Sequence, residues 1–282
     1  MYYLGPAFRK IRQAKHISTH FLCQDTISSS FLSKWERGES RISVAHLIEL
    51  LDLARTSFDE LLLYHEHLDL HYQKFIDQLS ACVATQNLEG LLLLRYHEER
   101  NTNPSAVTVR QHRLTVLTQH INQIMEIPFD LEATQQLVKE FQALEVWGLY
   151  DLTLYSHAMF FIPTTQLSAL TLKAYQKSLF FRSLPKVAAT IILILTATIR
   201  RLLAEDLLDD AAIFLKLAAD FLAETTLCYE INEIHFLEGI YLTRLGQKVE
   251  GQAKIDGAIQ VLRQLNLQQQ ADDYQAYLAI FD

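Results

Sequence analysis

Glycine and proline are scarce in this chain, eight and five among 282 residues. Flexible tethers and low-complexity segments draw on those residues, so their scarcity excludes such segments and points to a mostly helical chain with short connections. Cysteine is scarce too. Cys23, Cys82 and Cys228 show no C-x-x-C and no pairing pattern, which excludes a disulfide framework and fits a reducing, cytoplasmic setting. There is no G-x-S-x-G, no phosphate-binding loop, no HExxH and no spaced Cys/His set. Without converging nucleophile, base or metal ligands the chain is expected not to be an enzyme and to need no cofactor or metal. Long hydrophobic runs are also missing. The strongest, Val187 to Ile199 between Lys186 and Arg200, is too short to span a bilayer, so it reads as a buried helix and no membrane association is expected. No cationic leader with a cleavage site opens the sequence, and export is not indicated.

Hydrophobic residues make up 50% of the chain, enough core for one large or two ordinary domains and too much for disorder. Charge is unevenly placed. Residues 1–41 carry seven Lys/Arg against three Asp/Glu, a net of +4, whereas the remainder carries eighteen against thirty, a net of −12. A basic end on an acidic protein is the footprint of a discrete nucleic-acid-binding domain, chance segregation being the alternative.

The basic end reads as five short helices. Pro6 opens a first helix through Lys15, with Phe8 and Ile11 inward. Ser18 caps a second, Thr19 to Gln24, with Phe21, Leu22 and Cys23 as its apolar positions, and Asp25 and Thr26 supply a turn. Ser28 caps a third that ends at Gly38, with Phe31, Leu32 and Trp35 inward and Ser29, Ser30, Ser33, Lys34 and Arg37 outward. Ser43 and Ser57 cap two more, from Val44 and from Phe58. A hydroxyl-rich face could be merely solvated, but short helices flanking it in this order match the modules that place a recognition helix in the major groove.

IRQAKHIS, SSSFLSKWERGESRIS and LIELLDLARTSFDEL together resemble the helix-turn-helix of phage-repressor-like (XRE) regulators, in particular the Rgg/GadR/MutR family. The resemblance implies that the third helix reads DNA, with Ser28, Ser29, Ser30, Ser33 and Lys34 near base edges and Arg37 near phosphate. Arg9 and Lys15 of the first helix are counted with them. It also implies an inward bridge between Arg12 and Glu36. At Thr19 many XRE proteins carry a glutamine that braces the DNA backbone, and the shorter threonine is not expected to contact a base.

Residues 61 to 75 continue as helix in this reading, and 65–75 are taken as a bridge between a DNA-binding domain at 1–64 and a regulatory domain at 76–282. His67 and His71 have the i, i+4 spacing of shared metal ligands, but no third ligand is fixed nearby, and a solvated cluster with His65 is favoured. Beyond Phe75 the pattern is helix after helix. Glu233 to Leu245 and Gly251 to Leu265 form an antiparallel pair around Gly246, with Gly239 and Ala258 as the small residues at the contact. Similar pairs are drawn at 131–157, 166–182 and 209–227. The expected architecture is all-α, a helix-turn-helix domain followed by a right-handed superhelix of tetratricopeptide-like hairpins.

The stretch FQALEVWGLYDLTLYSHAMFFIP at 141–163 resembles the tryptophan-containing hairpin that opens the Rgg regulatory domain, and LLAEDLLDDAAIFLKLAADFL at 202–222 resembles its next repeat. The resemblance implies a cytoplasmic homodimer that binds promoter DNA and is controlled by a short peptide pheromone. Tyr150, Tyr155, Arg200, Arg201, Asn232 and His235 are the candidate peptide-binding residues. Arg200 and Arg201 could meet a carboxylate of the peptide or simply end a solvated helix. The alternatives are a helical-repeat scaffold that does not bind DNA, or a regulator without a peptide ligand.

Overall fold

The computed structural model describes residues 4–23, 27–64, 71–102, 107–223, 225 and 227–281, with only the backbone described for 71–73. Every regular element among them is helical. The chain divides into two compact units, Met1–Lys74 and Phe75–Asp282.

The first unit holds α1 (Gly5–Ala14), α2 (Thr19–Leu22), α3 (Ser29–Glu36), α4 (Val44–Leu53) and α5 (Phe58–Tyr64). Serine hydroxyls start four of the five. Those of Ser18, Ser28 and Ser43 accept from the N–H groups of Phe21, Phe31 and His46. Ser57 and Glu60 cap reciprocally, with Glu60 N–H on the Ser57 hydroxyl at 3.1 Å and Ser57 N–H on the Glu60 carboxylate at 2.6 Å. Phe8, Ile11, Leu22, Leu32, Trp35, Leu50 and Leu61 form one core, with the Phe8 and Trp35 rings 5.2 Å apart. Each such aliphatic or aromatic side chain contributes about 1.5–3 kcal/mol by burial. Phe31 is only half-buried and Phe21 is exposed, so the inward face of α2 and α3 is narrower than the sequence pattern implies. Gly5 lies against the end of α3, where a Cβ would stand 1.8 Å from the Trp35 carbonyl oxygen. Gln24, Asp25, Thr26, His65 and His67, and the side chain of His71, lie outside the described residues.

The second unit continues α6 (His71–Ala84) into α7 (Leu88–Glu99), α8 (Val107–Ile124), α9 (Leu131–Ala143), α10 (Leu149–Ala158), α11 (Thr164–Ser178), α12 (Pro185–Ala204), α13 (Leu208–Leu222), α14 (Cys228–Arg244), α15 (Lys248–Gln264) and α16 (Gln268–Leu278). Helix α7 packs on α8, α8 on α9, and from α11 onward each helix packs on the next, while α8, α10, α12 and α14 also pack on one another in succession. The result is a stack of hairpins with a continuous core. Helix α12 is its axis. At 20 residues and mean hydropathy 1.9 it could cross a bilayer by length and composition, but ten of its residues are buried in the stack.

Two of the expected pairs are single helices. Residues 209–227 hold only α13, because Ala211, Phe214, Leu215, Ala218 and Leu222 keep one apolar stripe through it with nothing to stop the helix midway. Residues 166–182 hold α11 and the 3-10 turn Leu179–Phe181. On α15 it is Gly251 that lies against Gly239 of α14: a Cβ on Gly251 would meet the Thr243 hydroxyl at 2.2 Å and the Gly239 carbonyl oxygen at 2.6 Å.

Candidate functional site

Helix α3 presents Ser29, Ser30, Lys34 and Arg37 as exposed side chains, with Ser33 half-buried. The exposed Ser28 hydroxyl caps its own helix, accepting from Phe31 N–H at 3.2 Å and lying 3.1 Å from the Ser30 hydroxyl. Beneath α3, Arg12 donates through Nε and one Nη to the two oxygens of Glu36 at 2.6 and 2.9 Å, and through the other Nη to the Ile17 carbonyl at 2.9 Å. Both side chains are nearly buried, at 11% and 4% exposure, and the bond to Glu36 raises the Arg12 pKa further. One guanidinium thus ties α1 to α3 and to the loop before α2. Cys23 lies beside this pair, and burial pushes its thiol pKa up, consistent with a core role.

Several charges of the second unit are held in pairs that join its helices. Arg113 reaches Glu98 at 2.8 Å and stacks over Phe75, His112 bonds Glu140, and Arg200 places two nitrogens on one Glu233 oxygen at 2.9 and 2.8 Å. His120 and His157 sit side by side on α8 and α10, rings 5.8 Å apart, and burial lowers the pKa of each to about 4. No group of three or more metal-ligating side chains occurs among the described residues.

A family model described as the C-terminal domain of the HTH-type transcriptional regulator Rgg matches residues 91–276, well over half of the chain. The chain belongs to the Rgg family of transcriptional regulators. No curated protein matches its sequence. Among solved structures, the SHP pheromone receptor Rgg2 of Streptococcus dysgalactiae is 21% identical over 98% of this chain and 99% of that one, with a TM-score of 0.84. A bacterial peptide pheromone/receptor complex is 16% identical over 99% of this chain and 98% of that one, TM-score 0.78. The PrgX/cCF10 complex is 16% identical over 99% and 92%, also at 0.78. At such identities these likenesses establish the fold, an Rgg-type all-helical chain along its whole length.

Several side chains singled out from the sequence have other duties in this Rgg fold. Lys15 is not free for phosphate: its ammonium donates to the Arg55 carbonyl at 2.6 Å, the Ala54 carbonyl at 3.3 Å and the Thr56 hydroxyl at 2.7 Å, closing the carbonyl end of α4 where a cation is favoured. Tyr155 is fully buried, its hydroxyl 2.8 Å from Thr171, which in turn lies 2.9 Å from Thr198. That chain of hydroxyls links α10, α11 and α12 and belongs to the core, not to a groove wall. Tyr150 is half-buried and its pKa is raised to about 12, chiefly by burial.

Neither arginine on α12 stands at a rim. Arg200 is held by Glu233 and lies over Tyr277 at 4.7 Å, while the Tyr277 hydroxyl donates to the Arg200 carbonyl at 2.5 Å. Arg201 donates to the carbonyls of Met159 and Ile162 at 2.8 Å and to Glu205 at 3.1 Å, closing the end of α10. Asn232 is buried and donates to the Ala258 carbonyl at 3.1 Å, joining α14 to α15. Of the six candidates, only His235 is exposed, beside a cavity of about 190 Å³ shared with Thr225 and Glu238. The sequence reading missed Leu193, an exposed leucine on α12 flanked by Ala189 and Ala197. Its signal is an apolar residue on the otherwise small-sided face of a helix that is buried elsewhere.

Proposed function

We propose that this chain is a sequence-specific DNA-binding regulator, not an enzyme, that acts in the cytoplasm as a homodimer and answers to a short peptide pheromone. Residues 1–64 are assigned to DNA, 65–75 to a bridge and 76–282 to peptide binding and dimerisation. The observation that carries the DNA reading is α3 itself: a serine-capped helix, fixed from below by Arg12 and Glu36, with exposed Ser29, Ser30, Lys34 and Arg37. A symmetric dimer would place two copies in successive major grooves about 34–36 Å apart. The peptide reading is supported by family membership and by the likeness to receptors solved with or named for peptide pheromones. A peptide can change transcription only by favouring one arrangement of the paired DNA-binding units over another.

With Arg200 and Arg201 engaged, exposed Ala189 and Leu193 on α12 are the better candidates for a groove wall, and they favour an apolar peptide over an acidic one. Fluorescence polarisation with short hydrophobic peptides encoded beside the gene tests this. Tight binding weakened by Leu193→Asp and unchanged by Arg200→Lys is the expected result. Failure of every such peptide, with promoter binding intact, would replace the pheromone reading with a regulator of another ligand. A gel shift with Ser29→Ala and Ser33→Ala tests the DNA reading, and parent-like binding by both would remove α3 from the interface.

A further inference from the structure

Arg37 ends the recognition helix and is not alone there. Its Nε and one Nη each donate to a separate oxygen of Glu39 at 2.7 Å, a two-pronged pair on the side edge of the guanidinium. The other edge, between the two terminal nitrogens, makes no bond to the protein among the described residues. The backbone of Glu39 is fixed by the stop of the helix: Gly38 takes φ +78°, Gly38 N–H bonds the Trp35 carbonyl at 2.8 Å, and Glu39 N–H reaches back to the Lys34 carbonyl at 2.9 Å. The carboxylate therefore springs from an anchored position three residues past Glu36, the last residue of the helix, next to Lys34 and Arg37.

We propose that Glu39 is a positioning residue that holds the Arg37 guanidinium side-on and aims its free end at one phosphate of the DNA, making Arg37 a directed contact instead of a mobile charge. The proposal rests on the reading of α3 as the recognition helix. Arginine is suited to the role because it can offer one two-donor edge to the carboxylate and the other to a phosphate at the same time. An isolated acid at a DNA interface should only repel. Its removal would then strengthen binding at any sequence, by the general rule that phosphate charge dominates affinity.

Opposite signs make the test. Duplexes enriched from a random pool by the full-length parent serve as the probe, with an unselected duplex of equal length for comparison. Glu39→Gln should weaken binding to the enriched duplex by about two- to fivefold, the range of an exposed ion pair, and should not weaken binding to the unselected one. In the Arg37→Ala background the same substitution should have no effect. Equal or tighter binding of Glu39→Gln to the enriched duplex would overturn the proposal, as would an unchanged loss in the Arg37→Ala background. Ser29→Ala with Ser33→Ala separates the two levels: if that variant binds like the parent, or if the parent enriches no sequence, the recognition-helix reading fails and the role of Glu39 with it.

Discussion

Replacing Glu36 by alanine should unfold the first unit far more readily than removing any exposed acid. The substitution leaves two Arg12 donors, formerly at 2.6 and 2.9 Å from carboxylate oxygens, facing a site where the arginine side chain is 11% exposed. Breaking a buried pair by removing one partner costs about 3–5 kcal/mol, and the lower end applies because Arg12 keeps its bond to Ile17 and a rim of solvent. For a domain of this size about 3 kcal/mol corresponds to a fall of roughly 12–24 °C in midpoint. The chain has two tryptophans, so a Trp147→Phe background makes Trp35, buried against Phe8, the reporter of this unit in thermal unfolding of the full chain. Arg12→Met combined with Glu36→Leu should recover most of the loss, since a well-packed apolar pair avoids the desolvation cost. A loss below about 1 kcal/mol for Glu36→Ala, the range of exposed pairs, would refute the idea that this bridge fixes the recognition helix.

Acid should destabilise the second unit in a defined window. His120 and His157 have folded pKa values of about 4 against an ordinary 6.5, so stability is complete above pH 6.5, falls as pH drops toward 4 and levels below it. By pH 5 each contributes a loss of about 2 kcal/mol. Urea unfolding followed by Trp147 at pH 7.5 and 5 should show it, with His120→Gln halving the difference; a pH-independent midpoint would contradict the burial. Gln86 ends α6 with φ +49° and is exposed. Gln86→Gly should therefore raise stability by about 0.5–1 kcal/mol, relief of left-handed strain outweighing the extra entropy of the unfolded chain, and a lowered midpoint would contradict it.

Helix starts were legible because a serine hydroxyl is a chemical marker: Ser18, Ser28, Ser43 and Ser57 each cap the helix that follows. Helix ends were not. Reading stops from glycine works at Gly38 and Gly246, but His16, Arg55, Gln86, Glu126, Asp206 and Asn266 take the same left-handed turn without being glycine. Each is followed by an N–H that reaches back five residues, as from Leu207 to the Leu202 carbonyl at 2.8 Å. The stop at Asp206, which separates α12 from α13, is therefore invisible in composition. The intramolecular partners of the groove candidates were illegible for a related reason. Apart from Glu205, four residues on from Arg201, the side-chain partners of Arg200 and Arg201 lie 33 to 42 residues away, and no local pattern distinguishes a solvated arginine from one that closes a distant helix. The Arg12–Glu36 bridge spans 24 residues and was likewise readable only through family resemblance.

The reassignment of Lys15 changes what the basic first helix is for. Gly5, Arg12 and Lys15 at α1 meet α3, α3 with the loop before α2, and the end of α4, so α1 serves as the fixture that sets α3. Of the cations first counted for DNA, exposed Arg9, Lys34 and Arg37 remain. With Lys34 taken at phosphate instead of at a base edge, six phosphate contacts in a dimer would give a slope of about −5 for log K against log salt concentration. Lys34→Ala, lost twice per dimer, should reduce the magnitude of that slope by about 2. Lys15→Met should lower affinity through a looser α4 end but leave the slope where it was, because no counterion is released at a residue that never reaches phosphate. The measurement is a salt titration of binding to an enriched duplex with parent and both variants. If Lys15→Met flattens the slope as much as Lys34→Ala does, the lysine leaves its carbonyls to contact DNA, and the first helix is part of the interface after all.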